Sequence, residues 1–264
     1  MNRRSFMAAM GGLAMVGCQA NSTGRSRTLR VLTYNLHHGE GTDGVVDLER
    51  IAKVVVGAQP DLVALQEVDR KAQRTGKVDQ AAEYIRLIGL HGWYGAAMPF
   101  QGGEYGQLLL SRWPLLDPRV IRLPGTPGRE PRIAVTSAVE VPGLGRIQWC
   151  GAHLDATSDD KDRWEQAGAL LREFEGSAWP VLMAGDFNAT PESRVMRRLL
   201  EPSTGWFDTA GTQAAPTSPA EAPKARIDYV LARPGNRWRS IESTVLPEAT
   251  ASDHRALLAV VEAV

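Results

Sequence analysis

The sequence predicts one mixed α/β domain over residues 28–264. Three observations predict it. Apolar runs of strand length alternate with segments of helical period along the whole stretch. Gly and Pro are plentiful, at 26 and 16 residues, which suits many short strands joined by turns. No internal linker and no repeat of fixed period divides the stretch, and a chain of 264 residues can bury one large core.

The elements follow in order. "LRVLTYN" (29–35) reads as the first strand. Residues 47–58, "DLERIAKVVVGA", place Leu48, Ile51 and Val55 on one helical face, and Pro60 ends the segment. "DLVALQE" (61–67) is a strand and "DQAAEYIRLIGL" (79–90) a helix. "QLLLSRWP" (107–114), "RIAVTSAVEV" (132–141) and "GRIQWCGAHL" (145–154) are strands. "DDKDRWEQAGALLREFE" (159–175) is a long helix whose acidic first turn suits the positive end of its dipole. "WPVLMAGDFN" (179–188) is a strand, followed by a short helix from Pro191. The Thr/Pro/Ala-rich stretch 208–224 reads as a loop, and "RIDYVLARP" (226–234) and "DHRALLAVV" (253–261) as closing strands.

Residues 1–17 read as a signal peptide. A basic start with Arg3-Arg4 before Ser5-Phe6 resembles a twin-arginine signal, and an apolar stretch runs from Phe6 to Val16. That run is shorter than the ~20 residues a spanning helix needs. "MVGC" resembles a lipobox, with Cys18 as the lipid-modified first residue of a mature, membrane-anchored and exported chain, periplasmic or on the outer surface. The polar stretch 18–27 reads as a tether. Cys150, in an apolar strand, reads as a buried inert thiol with no disulfide partner.

Lys and Arg number 30 against 30 Asp and Glu, so no net charge draws the chain to nucleic acid. The arginines at 194, 197, 198, 226, 233, 237 and 239 could form a basic patch, or simply a solvated surface.

The polar groups at strand ends carry the functional signal. Asn35, Glu67, His153 and Asp186 with Asn188 follow apolar runs, whereas Asp228 and the pair Asp253-His254 precede them. If the last two strands run antiparallel to the others, all these groups gather along one edge, where α/β folds form clefts. Asp186 and Asn188, two apart, would share a side if the chain is extended there. A single strand-end aspartate is ordinarily a turn former or cap, but six segments of one chemistry make coincidence a poor account. Glu67, Asp186, Asp228 and Asp253 supply hard carboxylate oxygens, and Asn35 and Asn188 add amide oxygens. Such a set needs a cation and selects Mg²⁺, Mn²⁺ or Ca²⁺ over Zn²⁺. His153 and His254 can move protons or hold phosphate oxygens. The kit is that of metal-assisted hydrolysis of a phosphate ester.

"TYNLHHG", "LVALQEVD", "GAHLD", "AGDFNATP", "RIDYVLA" and "ASDHRALLA" occur in an order that resembles the endonuclease/exonuclease/phosphatase superfamily, over about residues 28–263. That group includes DNase I-like nucleases, bacterial sphingomyelinases and inositol phosphatases. The resemblance implies a four-layer αββα sandwich with two mixed β-sheets. It implies that Glu67 is the main metal ligand, with Asn35 and Asp253 nearby. Asp186 would orient or deprotonate the attacking water, and Asn188 would hold the phosphate or a second ion. His254 would contact the scissile phosphate, steered by Asp228, and His153 would act as a second phosphate ligand or proton donor. Attack would be in line, without a covalent intermediate. Which group is base and which acid stays open. So does the substrate, among nucleic acid, a phospholipid headgroup and a small phosphodiester. A monoesterase and a tethered, non-catalytic binding module are the alternatives, and the chain is expected to be a monomer. Secondary candidates are Arg132 for a substrate phosphate or as a surface ion pair, Glu104 or Gln107 as a support of His153 or of substrate, His37 facing the cleft or as an exposed turn residue, His38 and His91 as structural or surface residues, and Asp155 beside His153 or as a loop cap.

Overall fold

The computed structural model describes residues 27–211 and 214–264. Twelve strands form two six-stranded sheets among the described residues. The first has the order β11-β12-β1-β2-β4-β3, from β1 (Thr28–Asn35), β2 (Leu62–Arg70), β3 (His91–Phe100), β4 (Gly103–Ser111), β11 (Trp238–Val245) and β12 (Leu257–Ala263). The second has the order β5-β6-β7-β8-β10-β9, from β5 (Leu115–Arg122), β6 (Ile133–Val141), β7 (Gly145–His153), β8 (Val181–Asp186), β9 (Phe207–Asp208) and β10 (Asp228–Arg233).

Alternation along each strand builds the layers. Leu29 and Val31 of β1 join Leu182 and Ala184 of β8, Trp149 of β7 and Leu257 of β12 in the core between the sheets. Leu32 and Tyr34, the other face of β1, pack under Ile51 and Val55 of α1 (Leu48–Gly57) and Tyr84 of α2 (Gln80–Ile88). Met183 of β8 and Cys150 of β7 pack under Leu170 and Phe174 of α3 (Lys161–Glu175) and Leu199 of α4 (Arg194–Leu199). The result is the expected αββα sandwich with mixed sheets. The helices start where capping chemistry allows: the side chains of Asp47, Asp79 and Ser193 accept backbone N–H groups from the first turns of α1, α2 and α4.

β1 and β2 run parallel, as do β7 and β8. β12 runs antiparallel to β1 and β10 antiparallel to β8. The C-terminal ends of β1, β2, β7 and β8 therefore share an edge with the N-terminal starts of β10 and β12, the condition set by the sequence.

Four strands escape the sequence reading: the two-residue β9 and three longer ones. β3 is broken up by Gly92, Gly95 and Pro99; β5 carries Asp117-Pro118 at a bulge against β6; β11 is an edge strand with an exposed, mixed pattern. The loop at 208–224 begins inside β9 and makes a bridge between Ser218 and Ala225. The short helix begins at Arg194 instead of Pro191, after the Ser193 cap.

Candidate active site

The site is assembled by strand register. His153 pairs with Asp186 across β7 and β8, and Asp186 with Asp228 across β8 and β10, so three functional groups stand in a row on adjacent strands. Gly185 makes this row possible. A Cβ there would lie 1.8 Å from the Ala152 carbonyl oxygen, so only glycine admits the close approach of β7 and β8 just before Asp186.

Glu67 reaches the cleft by a different device. The β2–β4 register shifts between Leu65 and Val68, and Glu67 sits in this bulge with φ 60°. A bulge re-aims one side chain at the cost of backbone strain, a cost found most often at functional positions. His37, His38 and Asn188 share the left-handed conformation (φ 45°, 46° and 48°). Asn188 therefore does not continue an extended strand. β8 ends at Asp186, and the expected shared side gives way to a turn in which the Asn188 N–H donates to Asp186 Oδ1 at 2.9 Å and its amide to the Leu154 carbonyl at 3.1 Å.

Asn35 links the two sheets. Its amide nitrogen donates to Glu67 Oε1 at 3.0 Å and to Asp186 Oδ2 at 3.1 Å, while its oxygen accepts the His37 N–H. His254 Nδ1 lies 2.9 Å from Asp228 Oδ2, and its Nε2 is 3.8 Å from Asp186 Oδ2. His153 Nε2 is 3.6 Å from the same oxygen. The Ser252 hydroxyl donates to the Asn35 carbonyl at 2.7 Å and orders the turn that carries Asp253 and His254. The Thr217 hydroxyl accepts the backbone N–H of Asp228.

Burial sorts these groups electrostatically. Burial raises the Asp186 carboxyl to about 7, with Asp228 adding to the rise and His254, the Asn188 N–H and Asn35 opposing it. Burial also works against charge on His254, but Asp228, Asp186 and Asp253 outweigh it and lift the imidazole to about 10. His153 moves the other way, held neutral by burial and by the Arg132 and His254 charges. Glu67 is raised by burial and by Asp253, against the Asn35 hydrogen bond.

The remaining candidates divide. Arg132 is buried, with Nη1 3.0 Å from each His153 ring nitrogen and 2.9 Å from Glu130. Gln107 lines the same small cavity as Arg132 and His153 and donates to the Ile133 carbonyl. Glu104 instead pairs with Arg70, away from His153. Asp155 caps its loop, accepting the Thr157 N–H and hydroxyl. His37 Nδ1 lies 3.2 Å from the Glu40 carbonyl, His38 is buried against Glu40, and His91 is exposed. Most of the arginines of the possible basic patch are spent locally. Arg194 pairs with Asp160, Arg226 with Asp208 and Arg239 with Glu262, and Arg233 donates to three backbone carbonyls.

Tyr105 is a residue the sequence did not disclose. It is buried on β4, opposite Asp69, and its phenol is raised well above the usual range by burial and by Glu67 and Glu130, against Arg132 and Arg74. In sequence it is one aromatic beside the apolar run of β4, a pattern that core packing explains equally well.

The sequence model of the Endonuclease/Exonuclease/phosphatase family matches residues 32–254. The chain belongs to that family. It is 27% identical over 229 residues to nocturnin of Rattus norvegicus, covering 74% of this chain and 51% of that protein. It is 27% identical over 208 residues to nocturnin of Xenopus laevis, covering 69% and 53%. The chain thus spans about half the length of these curated relatives. A solved endonuclease/exonuclease/phosphatase from Beutenbergia cavernae DSM 12333 matches with TM-score 0.74 and 28% identity, covering 90% of this chain and 72% of that one. The human nocturnin catalytic domain with bound sulfate (TM-score 0.71, 18% identity, 90% and 96% covered) shares the fold. So does a mannosyl-6-phosphatase of Bacteroides thetaiotaomicron VPI-5482 (0.71, 19%, 89% and 99%). Members of the endonuclease/exonuclease/phosphatase family are hydrolases of phosphate esters, typically dependent on a divalent metal.

The donor set fits such an ion. Asp186, Asp228 and His254 bring three ligand atoms within 4.8 Å of one another, and Asp228 Oδ1 is buried without a hydrogen-bond partner among the described residues. Glu67 and Asp253 add two half-buried carboxylates, and oxygen donors of this kind suit Mg²⁺ or Mn²⁺.

Proposed function

We propose that this chain is a Mg²⁺- or Mn²⁺-dependent phosphodiesterase in which a water attacks phosphorus in line with the leaving group. The observation that carries the reading is the arrangement of Asn35, Glu67, Asp186, Asp228 and His254, gathered from both sheets into one cluster: Asn35 bonds Glu67 and Asp186, Asp228 bonds His254, and His254 Nε2 lies 3.8 Å from Asp186 Oδ2. Glu67 and Asp253, with Asn35 beside them, would hold the ion. When bound, the ion would polarise a phosphoryl oxygen and offset charge on the leaving group.

The chain's own residues supply the rest. Asp186, with its carboxyl raised to about 7, accepts a proton from water near neutral pH, and Asn35 and the Asn188 N–H hold it in place. His254 stays cationic because Asp228 holds its Nδ1, which turns Nε2 toward a phosphate oxygen. Neutral His153, backed by Arg132, serves as a further phosphate ligand through its ring N–H, and its neutrality argues against the proton-donor role. Four carboxylates against His254 and Arg132 leave the cluster short of positive charge, which suits a monoanionic diester better than a dianionic monoester.

Nucleic acid, a phospholipid headgroup and a small diester are the substrate classes this reading admits. Export and a lipid anchor at Cys18, together with a monomeric state, belong to the same proposal. Cys18 lies outside the described residues. A mature chain shown by mass spectrometry to start at an unmodified residue would remove the anchor.

The test of the chemistry is a panel with purified protein, Mg²⁺ or Mn²⁺, and plasmid DNA, RNA, bis-p-nitrophenyl phosphate, p-nitrophenyl phosphate and sphingomyelin. Diester cleavage that EDTA abolishes is expected. Turnover confined to p-nitrophenyl phosphate would make the chain a monoesterase, and no turnover at all would favour a binding module.

A further inference from the structure

One guanidinium near the cleft is built to do more than hold the fold. Arg74 Nε and Nη2 donate to the two oxygens of Asp69 at 2.8 and 2.9 Å. Asp69 is itself locked: its side chain is fully buried, accepts the Thr75 hydroxyl, and its N–H donates to Gln80. The Arg74 guanidinium carbon lies 4.6 Å from the Phe100 ring centre and 5.7 Å from that of Tyr105. The plane of the group is therefore set by a carboxylate on one edge and by aromatic neighbours.

A guanidinium carries five N–H donors, and the Asp69 fork uses only one edge. Nη1 makes no hydrogen bond among the described residues, and the side chain is 27% exposed. The free Nη1–Nη2 edge has the geometry to donate to two phosphate oxygens at once. Its position is at the site. Asp69 is two residues beyond Glu67 on β2 and faces Tyr105 on β4, and the Arg74 charge acts on His38, Tyr105 and Glu67. A purely structural ion pair explains the fork but not an ordered, half-open donor edge beside the metal-ligand side of the cleft.

We infer that Arg74 is an anion subsite on the Glu67 side of the cleft, serving a substrate that carries a second phosphate besides the one cleaved. The inference rests on the phosphodiesterase reading. It narrows the substrate class to diesters with a neighbouring phosphate, such as a nucleotide chain or a phosphorylated nucleotide ester, and away from diesters of a single phosphate.

A matched pair of chromogenic esters tests it: thymidine 5′-(p-nitrophenyl phosphate), and the same ester bearing a 3′-phosphate. The wild type is expected to favour the 3′-phosphorylated ester by about tenfold or more in kcat/KM, as one charge-assisted contact allows. In Arg74→Gln that ratio should fall to about one, through KM for the bisphosphate. Arg74→Lys keeps a charge beside Asp69 but lacks the second edge, so it should also lose most of the preference while guarding against a folding defect. A wild-type ratio near one, or a ratio unchanged in both variants, overturns the subsite. If the wild type cleaves neither ester but cleaves bis-p-nitrophenyl phosphate, the phosphodiesterase reading stands; if it cleaves none of the three, that reading fails on its own. Calorimetric binding of thymidine 3′,5′-bisphosphate against thymidine 5′-phosphate then decides. Tighter binding of the bisphosphate that is lost in Arg74→Gln supports the subsite, and equal binding overturns it.

Discussion

The two sheets follow one plan and use it for different work. Strand for strand, β11-β12-β1-β2-β4-β3 matches β5-β6-β7-β8-β10-β9, with one parallel pair at the centre of each and antiparallel neighbours elsewhere. Laying one plan on the other sets Asn35 on His153 and Gln66 on Asp186, because each pair stands in register across its parallel strands. The second sheet puts a buried carboxylate at that position. The first puts a neutral amide there, and Gln66 accepts the Thr33 hydroxyl and donates to the Ala64 carbonyl. The acid of the first sheet is displaced by one residue to Glu67, on a bulge, where it is half-buried. The difference teaches that a register position by itself does not make a catalytic group. One sheet places its acid in the fully buried register position, and the other places its acid one residue on, at a bulge that leaves it partly exposed.

The largest expected effect comes from breaking the second sheet's half. Asp186→Asn keeps the shape but removes the proton acceptor, so kcat should fall about 10²–10⁴-fold with KM little changed. The melting temperature should hold or rise, because the change relieves repulsion between two neighbouring buried carboxylates. If Asp186 only capped its turn, the outcome would be reversed, with a lower melting temperature and activity falling in proportion. Measuring kcat and thermal stability on the same samples separates the two.

The edge that carries the site was legible because polar residues stand where apolar runs stop. Asn35, Glu67, His153, Asp186, Asp228 and His254 could be named from that pattern, and the direction of β10 and β12 completed it. The bulge at Glu67 was not legible, since "LQEV" has the same letters whether or not a residue is left out of the ladder. Tyr105 and Arg74 were missed for a related reason. An aromatic on a buried strand and an arginine in a loop are common, and only cross-strand pairing shows that Tyr105 stands opposite Asp69. The shared plan of the two sheets leaves no sequence repeat, because strand order depends on which faces are apolar, and many residues satisfy that demand.

The first sheet's half should respond to metal where the second responds to proton transfer. Removing the ion with EDTA is expected to abolish turnover and Mn²⁺ to restore it. Glu67→Gln should raise the Mn²⁺ needed for half-maximal rate by at least about tenfold. The fold should survive, since Glu67 is half-buried and, among the described residues, its one side-chain hydrogen bond is to Asn35. An unchanged metal requirement in Glu67→Gln would move the ion to the Asp186–Asp228–His254 side.

Gln66→Ala sharpens the contrast from the structural side. It strips the partner from the fully buried Thr33 hydroxyl, which should cost about 1–3 kcal/mol of stability. Per folded molecule, kcat should stay close to wild type, the opposite of Asp186→Asn at the matching position. A loss of kcat that exceeds the loss of folded protein would show that Gln66 takes part in the site.

The smallest effect is expected where the plan's two loops are fastened. After β1, the Arg50 guanidinium of α1 forks Asp43 of the preceding loop and donates to the Val45 carbonyl. After β7, Arg129 of the β5–β6 connection reaches across to Asp155, Asp159 and Asp162. Arg129 thus ties the segment leading to Arg132 onto the segment that follows His153. Its removal takes a countercharge from the buried Asp155 and Asp162 but leaves each a donor: Thr126 still donates twice to Asp162, and Thr157 still donates to Asp155. The Asp159 pair is exposed and screened, whereas Asp155 and Asp162 are buried, so Arg129→Gln should lower the melting temperature by a few degrees, about 2–4 °C. The more telling effect should appear in rate. Arg132 and His153 are positioned through this connection, and small displacements of such groups slow the chemical step, here by less than about tenfold. High salt should reproduce part of that loss in the wild type and none in the variant, because it screens the same pairs. A salt response equal in both proteins would mean that Arg129 fastens the loops without positioning Arg132 or His153.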